Sequence, residues 1–236
     1  MSVSIIYRTL SSTIEGQSFG LVSTSLLLEK ISSSMNLQTI AVFIVTCVSC
    51  QYARGDRMML FDFTNAQSVD DWREISDTVR TVGKSKAVLT LQTSQLFQRA
   101  ILFTLLNPQP NGAGFAGVRK SINLNLSSFK NIEITCRGQG QNNHYKISLR
   151  HRGQNSNQDL SYEQFFTVPI SDNEFFTMTL PLKDFKPYYR GREIPDGEPL
   201  DTANITTFEF QIYGGVYLPI KQRGVSALEI ESVTVS

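Results

Sequence analysis

Tyrosine and arginine side chains that could recognise a ligand are concentrated in one polar stretch and in one later segment. The candidate surface consists of Tyr188, Tyr189, Arg190, Arg192 and Tyr217. A tyrosine ring offers a flat amphipathic surface, and a guanidinium donates several hydrogen bonds in a fixed geometry. Because loops on a rigid scaffold commonly carry recognition, we predict that these residues contact a protein partner or a glycan. The alternative for Tyr217, and for the nearby Tyr213, is packing at the end of a strand.

Groups able to act in covalent catalysis are few. A nucleophilic Ser, Cys or Thr needs a positioned base, usually His, and the chain has two histidines, His144 and His151. Cys136 is expected on the buried face of a strand, and no G-x-S-x-G motif is present. Glycosidase chemistry needs two carboxylates across a cleft, but no pair stands out among the acidic residues, which we interpret as solvated: Glu163, Asp172, Glu174, Asp184, Glu193, Asp196, Glu198 and Asp201. The sequence therefore predicts no catalytic residue and no enzyme activity.

Common metal and phosphate motifs are absent from the sequence, so no metal ion and no cofactor is predicted. The formal net charge is +1, which gives no electrostatic reason to expect nucleic acid or an anionic membrane as the partner. The short basic cluster of Arg150, His151 and Arg152 is interpreted as a solvated loop. Residues 137–140, Arg-Gly-Gln-Gly, are interpreted as a tight turn that needs positive φ.

Short runs of β-branched and aromatic residues, bounded by Gly, Pro, Asn or Ser, predict strands. The runs are residues 87–92, 100–105, 132–136, 145–149, 165–170, 175–180, 207–213 and 227–235. Several alternate apolar with polar residues, so one face of each strand is expected to be core. No stretch from Asp56 onward keeps helical spacing for three turns, and the best short helices are 68–72 and 182–185. This pattern predicts an all-β sandwich or jelly roll.

A series of motifs runs in order from residue 61 to residue 235. It comprises Asp71-Trp72, Ser76-Asp77, Gly83 with Ser85, Gly114 to Arg119, Arg137 to Gly140, Tyr145 to Arg150, Leu180 to Phe185, Arg190 to Arg192, Pro199 to Asp201, and Leu228 to Val233. Together the motifs resemble the CIA30 domain, the complex I intermediate-associated protein 30 family. The resemblance implies a galactose-binding-like jelly roll and a noncatalytic, chaperone-like role in unfolded protein binding. It also implies a mitochondrial protein that binds assembly intermediates of respiratory complex I.

The residues that carry the resemblance have a direct structural interpretation. Trp72 is expected to anchor a turn to the sandwich. Gly83, Gly114 and Gly117 are expected to allow turns or a close approach of backbone segments. These roles preserve the fold, so the resemblance implies architecture more directly than it implies function.

Two regions are expected: an N-terminal extension, residues 1–55, and a β-sandwich domain, residues 56–236. Within the extension, residues 35–53 contain an apolar run of signal-peptide length that is too short to span a bilayer comfortably. If translation begins at Met35, the run resembles a secretory signal; if it begins at Met1, the run is internal and is expected to be a buried strand or a short anchor. Residues 1–34 lack the Arg-rich, acid-poor composition of a mitochondrial transit peptide. The alternative is therefore a secreted CIA30-like module that binds carbohydrate or an extracellular protein, with N-glycosylation at the sequons of Asn125 and Asn204.

Overall fold

The computed structural model describes residues 57–110, 112 and 114–236. The predicted N-terminal extension and its signal-like segment lie outside these residues. The strands are β1 Met58–Asp62, β2 Arg73–Ser76, β3 Lys86–Thr93, β4 Gln98–Leu106, β5 Phe115–Leu124, β6 Asn131–Gly140, β7 His144–His151, β8 Ser161–Thr167, β9 Phe176–Pro181, β10 Lys186–Tyr189, β11 Arg192–Glu193, β12 Ile205–Tyr213 and β13 Gly224–Val235. Three single-turn 3₁₀ helices, Asp77–Val79, Leu182–Asp184 and Thr202–Asn204, complete the described elements.

The strands form two antiparallel sheets. The six-stranded sheet has the order β3-β4-β13-β6-β9, and β1 pairs with the end of β13. The seven-stranded sheet has the order β11-β10-β8-β7-β12-β5-β2. Consecutive strands often lie in different sheets, as in β12 and β13, so the chain crosses repeatedly between the layers. The predicted all-β jelly-roll sandwich is confirmed.

The alternating runs turn one side toward the core, as predicted. Ile132, Ile134 and Cys136 of β6 are fully buried in the core cluster. Phe208 and Phe210 on β12 also lie in the core. The two inner faces thus pack together, which is the main source of stability in a sandwich.

Trp72 joins the start of the domain to this core, in agreement with its predicted role. Its side chain is buried just ahead of β2. Its ring centroid lies 5.1 Å from that of Phe61 and 5.4 Å from that of Phe210. Edge and tilted contacts at these distances are the favoured arrangements of aromatic rings. They link β1, the turn before β2, and β12.

The structure corrects two local predictions. Residues 137–140 continue strand β6, and within that segment only Gly140 has positive φ, at 93°. Residues 68–72 form a turn rather than a helix. In this turn Trp72 N donates to Val69 O, and Asp70 N donates to the Ser68 hydroxyl at 2.9 Å. The predicted short helix at 182–185 is present as the 3₁₀ helix Leu182–Asp184.

Strands β1, β2, β5, β10 and β11 are absent from the predicted set. Strands β2 and β11 have only four and two residues, and β10 contains Pro187. Strand β5 carries Gly117, Arg119 and Lys120 among its apolar residues. Short length and mixed polarity weaken a period-two signal, so neighbouring strands rather than local sequence establish these elements.

Gly117 lies where β5 approaches β12 most closely. A Cβ atom at this position would stand 2.0 Å from the carbonyl oxygen of Phe210 and 2.8 Å from the Cα of Gln211. Both atoms belong to the backbone and cannot rotate away. Glycine is therefore required by space at this point, as the sequence predicts.

The substitution Gly117→Ala should lower the free energy of unfolding by about 1–3 kcal/mol or more because the new methyl group overpacks against backbone. Gly138→Ala is a matched control, since its Cβ would meet Ile170 and Val168 side chains at 3.4 Å, an ordinary contact. Chemical denaturation of both variants measures the difference. Equal stability losses in the two variants would contradict the assigned close approach.

Candidate binding cleft

A cleft of about 600 Å³ lies on the outer face of the seven-stranded sheet. Its floor is formed by side chains of β7, β8 and β12 that point away from the core. The floor residues are Lys146, Arg150, Ser161, Glu163 and Gln211. These positions alternate with core residues such as Ile147 and Phe210, so one strand periodicity builds both the core and the floor.

Ion pairs cross the floor from strand to strand. Lys146 Nζ lies 2.5 Å from Glu163 Oε2, and the hydroxyl of Ser161 donates to Glu163 Oε1 at 2.9 Å. Both charged side chains are almost completely buried. Glu163 therefore does not have the solvated position that the sequence suggested. Because its charge is matched by Lys146, it contributes no free negative charge to the cleft.

Glu209 forms a second charge cluster beneath the floor. Its side chain is fully buried, and it accepts hydrogen bonds from Arg119 Nε at 2.7 Å, from Arg150 and from Gln211. Burial, followed by the positive charge of Arg119, lowers the pKa of Arg150 to about 10. Arg150 therefore stays protonated at neutral pH and keeps its pair with Glu209. A buried carboxylate between two guanidiniums is stabilised only while the partners remain in place.

The solvated-loop interpretation of the basic cluster 150–152 is wrong for two of its three residues. Arg150 and His151 are buried on β7, whereas Arg152 follows the strand and is exposed. The burial of Arg150 could have been predicted from the complementary charges on the strands beside it. Recognising them requires the strand pairing β8-β7-β12, which the sequence alone does not provide.

Aromatic side chains form one wall of the cleft. The ring centroids of Phe165 and Tyr213 lie 5.1 Å apart, and those of Phe165 and Tyr188 lie 5.6 Å apart. Tyr217 extends from the loop between β12 and β13 and is 53% exposed. The Arg192 guanidinium carbon lies 4.7 Å from the centroid of the Tyr217 ring. The exposed ring is therefore held in place from outside the cleft lining.

The five predicted surface residues occupy different positions. Arg190 and Tyr217 line the cleft, whereas Tyr189 and Arg192 lie beyond its lining. Tyr188 is only 7% exposed, and its hydroxyl donates to Glu193 Oε2 at 3.3 Å. Burial and the nearby carboxylate of Glu193 raise the pKa of Tyr188 to about 12. Tyr188 thus supports the wall from behind, and Tyr213 packs at the end of β12.

The loop between β7 and β8 closes another side of the cleft and was not among the predicted site elements. Arg119 Nη1 donates to Asn155 O at 2.8 Å, and Arg119 Nη2 donates to Asn157 Oδ1 at 2.7 Å. Asp159 accepts from the backbone amides of Asn155 and Ser156. The same arginine that neutralises Glu209 therefore also ties down this loop.

Both predicted sequons have exposed asparagines. The Asn125 side-chain oxygen accepts from the Ser127 hydroxyl at 2.7 Å. The Asn204 amide donates to Asp201 Oδ2 at 3.0 Å. Glycosylation at these positions stays a prediction.

Cys136 lies in the core, where burial raises the pKa of its thiol to about 12. It therefore remains a neutral thiol at neutral pH. Within residues 57–236, apart from the two gaps, no group of three or more His, Cys, Asp or Glu could hold a metal ion. None of the helices in this described part is long and apolar enough to cross a membrane.

Residues 61–230 match the family described as Complex I intermediate-associated protein 30 (CIA30). The chain belongs to the CIA30 family. The CIA30 match covers both sheets and confirms the resemblance seen in the motifs. An uncharacterized protein of Schizosaccharomyces pombe, C9E9.15, is 29% identical over 166 residues, covering 66% of this chain and 74% of that protein.

Solved structures with a similar fold include two of a family 11 carbohydrate-binding module from Clostridium thermocellum. One, in complex with a β-1,3-1,4-mixed-linked tetrasaccharide, has a TM-score of 0.56 at 16% identity and covers 76% of this chain and 94% of the module. The other, from the cellulosomal cellulase Lic26A-Cel5E, has a TM-score of 0.55 at 15% identity and covers 78% and 95%. At this identity the likeness establishes the fold alone. The CIA30 family and these modules are both noncatalytic kinds of protein.

Replacing Glu209 with Ala should destabilise the domain by about 3–5 kcal/mol because it leaves Arg119 and Arg150 buried without their carboxylate. Glu198→Ala is a suitable control. Its side chain is 76% exposed and pairs with Arg152 at the surface, so the expected loss is below about 1 kcal/mol. Unfolding titrations with guanidinium chloride measure the free energy of unfolding of both variants. A loss at Glu209 no larger than at Glu198 would show that the buried cluster is not needed for stability.

His151 provides a pH-dependent test. Asp201 N donates to its Nδ1 at 2.7 Å, and Tyr162 Oη lies 3.3 Å from its Nε2, so the neutral ring fits the site. Burial, followed by the charge of Arg152, lowers the His151 pKa from 6.5. A lowered folded-state pKa gives a stability contribution that is complete above pH 6.5 and is lost as the pH falls through the folded pKa.

We expect the unfolding free energy to decrease as the pH falls below 6.5. His151→Gln should flatten this decrease because its amide does not titrate, whereas His144→Gln should retain it. The loss linked to Asp201 belongs to a lower range, since its pKa is lowered from 3.8 to about 2, first by Arg152. Urea titrations at a series of acid pH values separate the stability loss linked to His151 from the loss linked to Asp201. An unchanged slope in His151→Gln would contradict the assignment.

Proposed function

We propose that this CIA30 protein is a noncatalytic, chaperone-like binding protein that acts as an assembly factor for mitochondrial respiratory complex I. The observation that carries the proposal is the family match over residues 61–230, which includes all or part of every strand of the sandwich. The matched charges on the floor of the cleft are also suited to binding rather than to proton transfer, since Glu163 and Glu209 each have a cationic partner. The partner is an assembly intermediate of complex I.

The recognition surface in this proposal consists of the cleft and its rim. Arg190 and Tyr217 line the cleft with exposed side chains, while Tyr188, Tyr189 and Arg192 support or extend the same edge. Arg and Tyr are frequent anchors in interfaces because they combine apolar area with directed hydrogen bonds. Arg190 and Tyr217, which lie beside the ion-paired floor of the cleft, could therefore bind a protein segment specifically.

In mitochondria of the source organism, the tagged full chain should be protected from external protease and should co-migrate with a complex I subassembly. The double variant Tyr217→Ala with Arg190→Ala should reduce co-migration at least about tenfold, because two anchors are lost. Val88→Ala is the control and should co-migrate as the unmodified chain does, since its exposed side chain lies on the six-stranded sheet, outside the cleft lining. Chain found only in the medium, or full co-migration of the folded double variant, would contradict the proposal.

A second candidate is a secreted module that binds carbohydrate or an extracellular protein. The exposed Tyr217 ring in a cleft with aromatic walls favours it, because such a ring can stack on a sugar. The fold shared with a module that binds a β-1,3-1,4-mixed-linked tetrasaccharide and the signal-like residues 35–53 also support it.

This candidate predicts that calorimetry detects binding of a β-1,3-1,4-mixed-linked glucan and that Tyr217→Ala reduces the affinity about tenfold or more. Secreted chain should also lose a glycan mass shift in Asn125→Gln or Asn204→Gln. Val88→Ala, an exposed apolar change outside the cleft lining, serves as the binding control. Absence of glucan binding, together with an unglycosylated chain inside mitochondria, would exclude the secreted module in favour of the assembly factor.

A further inference from the structure

Charge is segregated along this chain even though the net charge is only +1. No Asp or Glu occurs between Asp77 and Glu133 or between Glu209 and Glu229. These two spans carry nine Lys and Arg residues. The near-neutral total therefore conceals basic segments whose effect depends on where the fold places them.

The fold brings the loops of these two spans to one end of the sandwich. The first loop joins the end of β2 to the start of β3, and the second joins β12 to the start of β13. In the six-stranded sheet, Lys86 is paired with Leu105, and Leu105 with Val225, so the starts of β3 and β13 lie at the same end. Residues 79–80 and 215–218 also line the same cleft.

We call this surface the basic end. It consists of Val79, Arg80, Val82, Lys84, Ile220, Lys221, Arg223 and Val225. Arg80, Lys84 and Arg223 have no ion pair among the described residues. Lys221 Nζ donates to the carbonyl oxygens of Gly215, at 2.6 Å, and Val216. Four cationic groups are thus left without a carboxylate partner.

Nearby acidic groups do not offset these cations. Asp77 is fully buried and accepts from the amide and hydroxyl of Ser85. Glu74 is paired with Lys86. Asp172 and Glu174 belong to the loop before β9, at the edge of the six-stranded sheet opposite β3. Asp159 lines the same cleft as Arg80 and accepts from the backbone amides of Asn155 and Ser156. It is one carboxylate against four cations, so the basic end presents net positive charge to its surroundings.

Aliphatic side chains stand among these cations. Val79 is 63% exposed, Val82 45%, Ile220 42% and Val225 58%. Val82 and Ile220 lie in loops, Val79 ends the 3₁₀ helix Asp77–Val79, and Val225 lies at the start of β13. They come from separate short segments and so do not form a groove for a helix. Exposed aliphatic groups surrounded by basic residues match a surface that combines negative headgroups with an apolar layer beneath them.

We propose that the basic end docks on the surface of an anionic lipid bilayer. The Arg and Lys side chains contact lipid phosphates, and the valine and isoleucine side chains enter the interfacial layer. This association is peripheral and reversible. The basic end adjoins the recognition edge, because Val79 and Arg80 line the same cleft as Arg190 and Tyr217, but its other residues, such as Lys84 and Arg223, lie outside that lining. It goes beyond the proposed function because it concerns a lipid surface and does not depend on the identity of the protein partner.

The test is co-sedimentation of the full chain with vesicles of phosphatidylcholine containing phosphatidylglycerol, compared with phosphatidylcholine alone. Binding should require phosphatidylglycerol and should weaken as salt is raised. Arg80→Glu with Lys84→Glu should reduce the partition coefficient at least about tenfold. Lys130→Glu with Lys183→Glu changes the net charge equally in the loops beyond β5 and β9, and it should leave binding near that of the unmodified chain.

Three further measurements complete the test. Val79→Ser with Val82→Ser should reduce binding to the mixed vesicles, because the apolar contribution is lost. Tyr217→Ala with Arg190→Ala should retain binding, which separates this proposal from the proposed function. If the double variant Arg80→Glu with Lys84→Glu has a lower melting temperature than the unmodified chain, the double variant Arg80→Gln with Lys84→Gln is used in its place.

Equal binding to vesicles with and without phosphatidylglycerol would overturn the proposal. Equal losses in the two charge-reversal pairs would also overturn it, because they would indicate a response to net charge alone. Self-association in solution that depends on Arg80 and Lys84, without vesicle binding, would identify a second copy of the chain as the occupant instead.

Discussion

Strand β12 has to satisfy two opposite environments at once, and much of the domain depends on how it does so. Phe208 and Phe210 on one side lie in the core, where they contact the Trp72 ring that anchors the start of the domain. Glu209 between them lies on the other side, fully buried with two arginines. Because successive strand residues point to opposite faces, a one-residue shift in register would place a carboxylate in the core and a phenyl ring in the polar cluster. The two environments thus specify the same register.

This arrangement explains why the cleft has a polar but electrically balanced floor. Buried charges destabilise a fold unless each is paired and hydrogen-bonded, and both Glu163 and Glu209 meet that condition. Because Glu163 and Glu209 are held in these ion pairs, neither carboxylate is free to transfer a proton. The residues left exposed at the rim, Arg190 and Tyr217, are therefore the ones suited to contacting a partner, while the floor holds the strands that present them.

Charge has a different distribution at the end of the sandwich. At the floor of the cleft, opposite charges come from strands that lie side by side and cancel one another. At the basic end, Arg80, Lys84 and Arg223 come from spans of the sequence without acidic residues after Asp77 and after Glu209, and they have no ion pair among the described residues. The net charge of the chain is near zero although the floor of the cleft is neutral and the basic end is positive. The total charge therefore does not predict what either surface binds.

The sequence by itself determined the all-β class, the family, and the core faces of strands such as β6 and β12. The alternation of apolar residues and the spacing of Trp72 and Gly117 are local patterns, so they can be recognised without knowing which strands pair with each other. Most of the strands that it missed, such as β2 and β10, are short or interrupted, so pairing with neighbours defines them. Only the tertiary structure decided that Arg150, Glu163 and Glu209 are buried. Alternation tells which face a side chain points to, but whether water reaches that face depends on the strands and the loop beside it. The separation of Tyr188 in the wall from Tyr217 at the rim follows for the same reason.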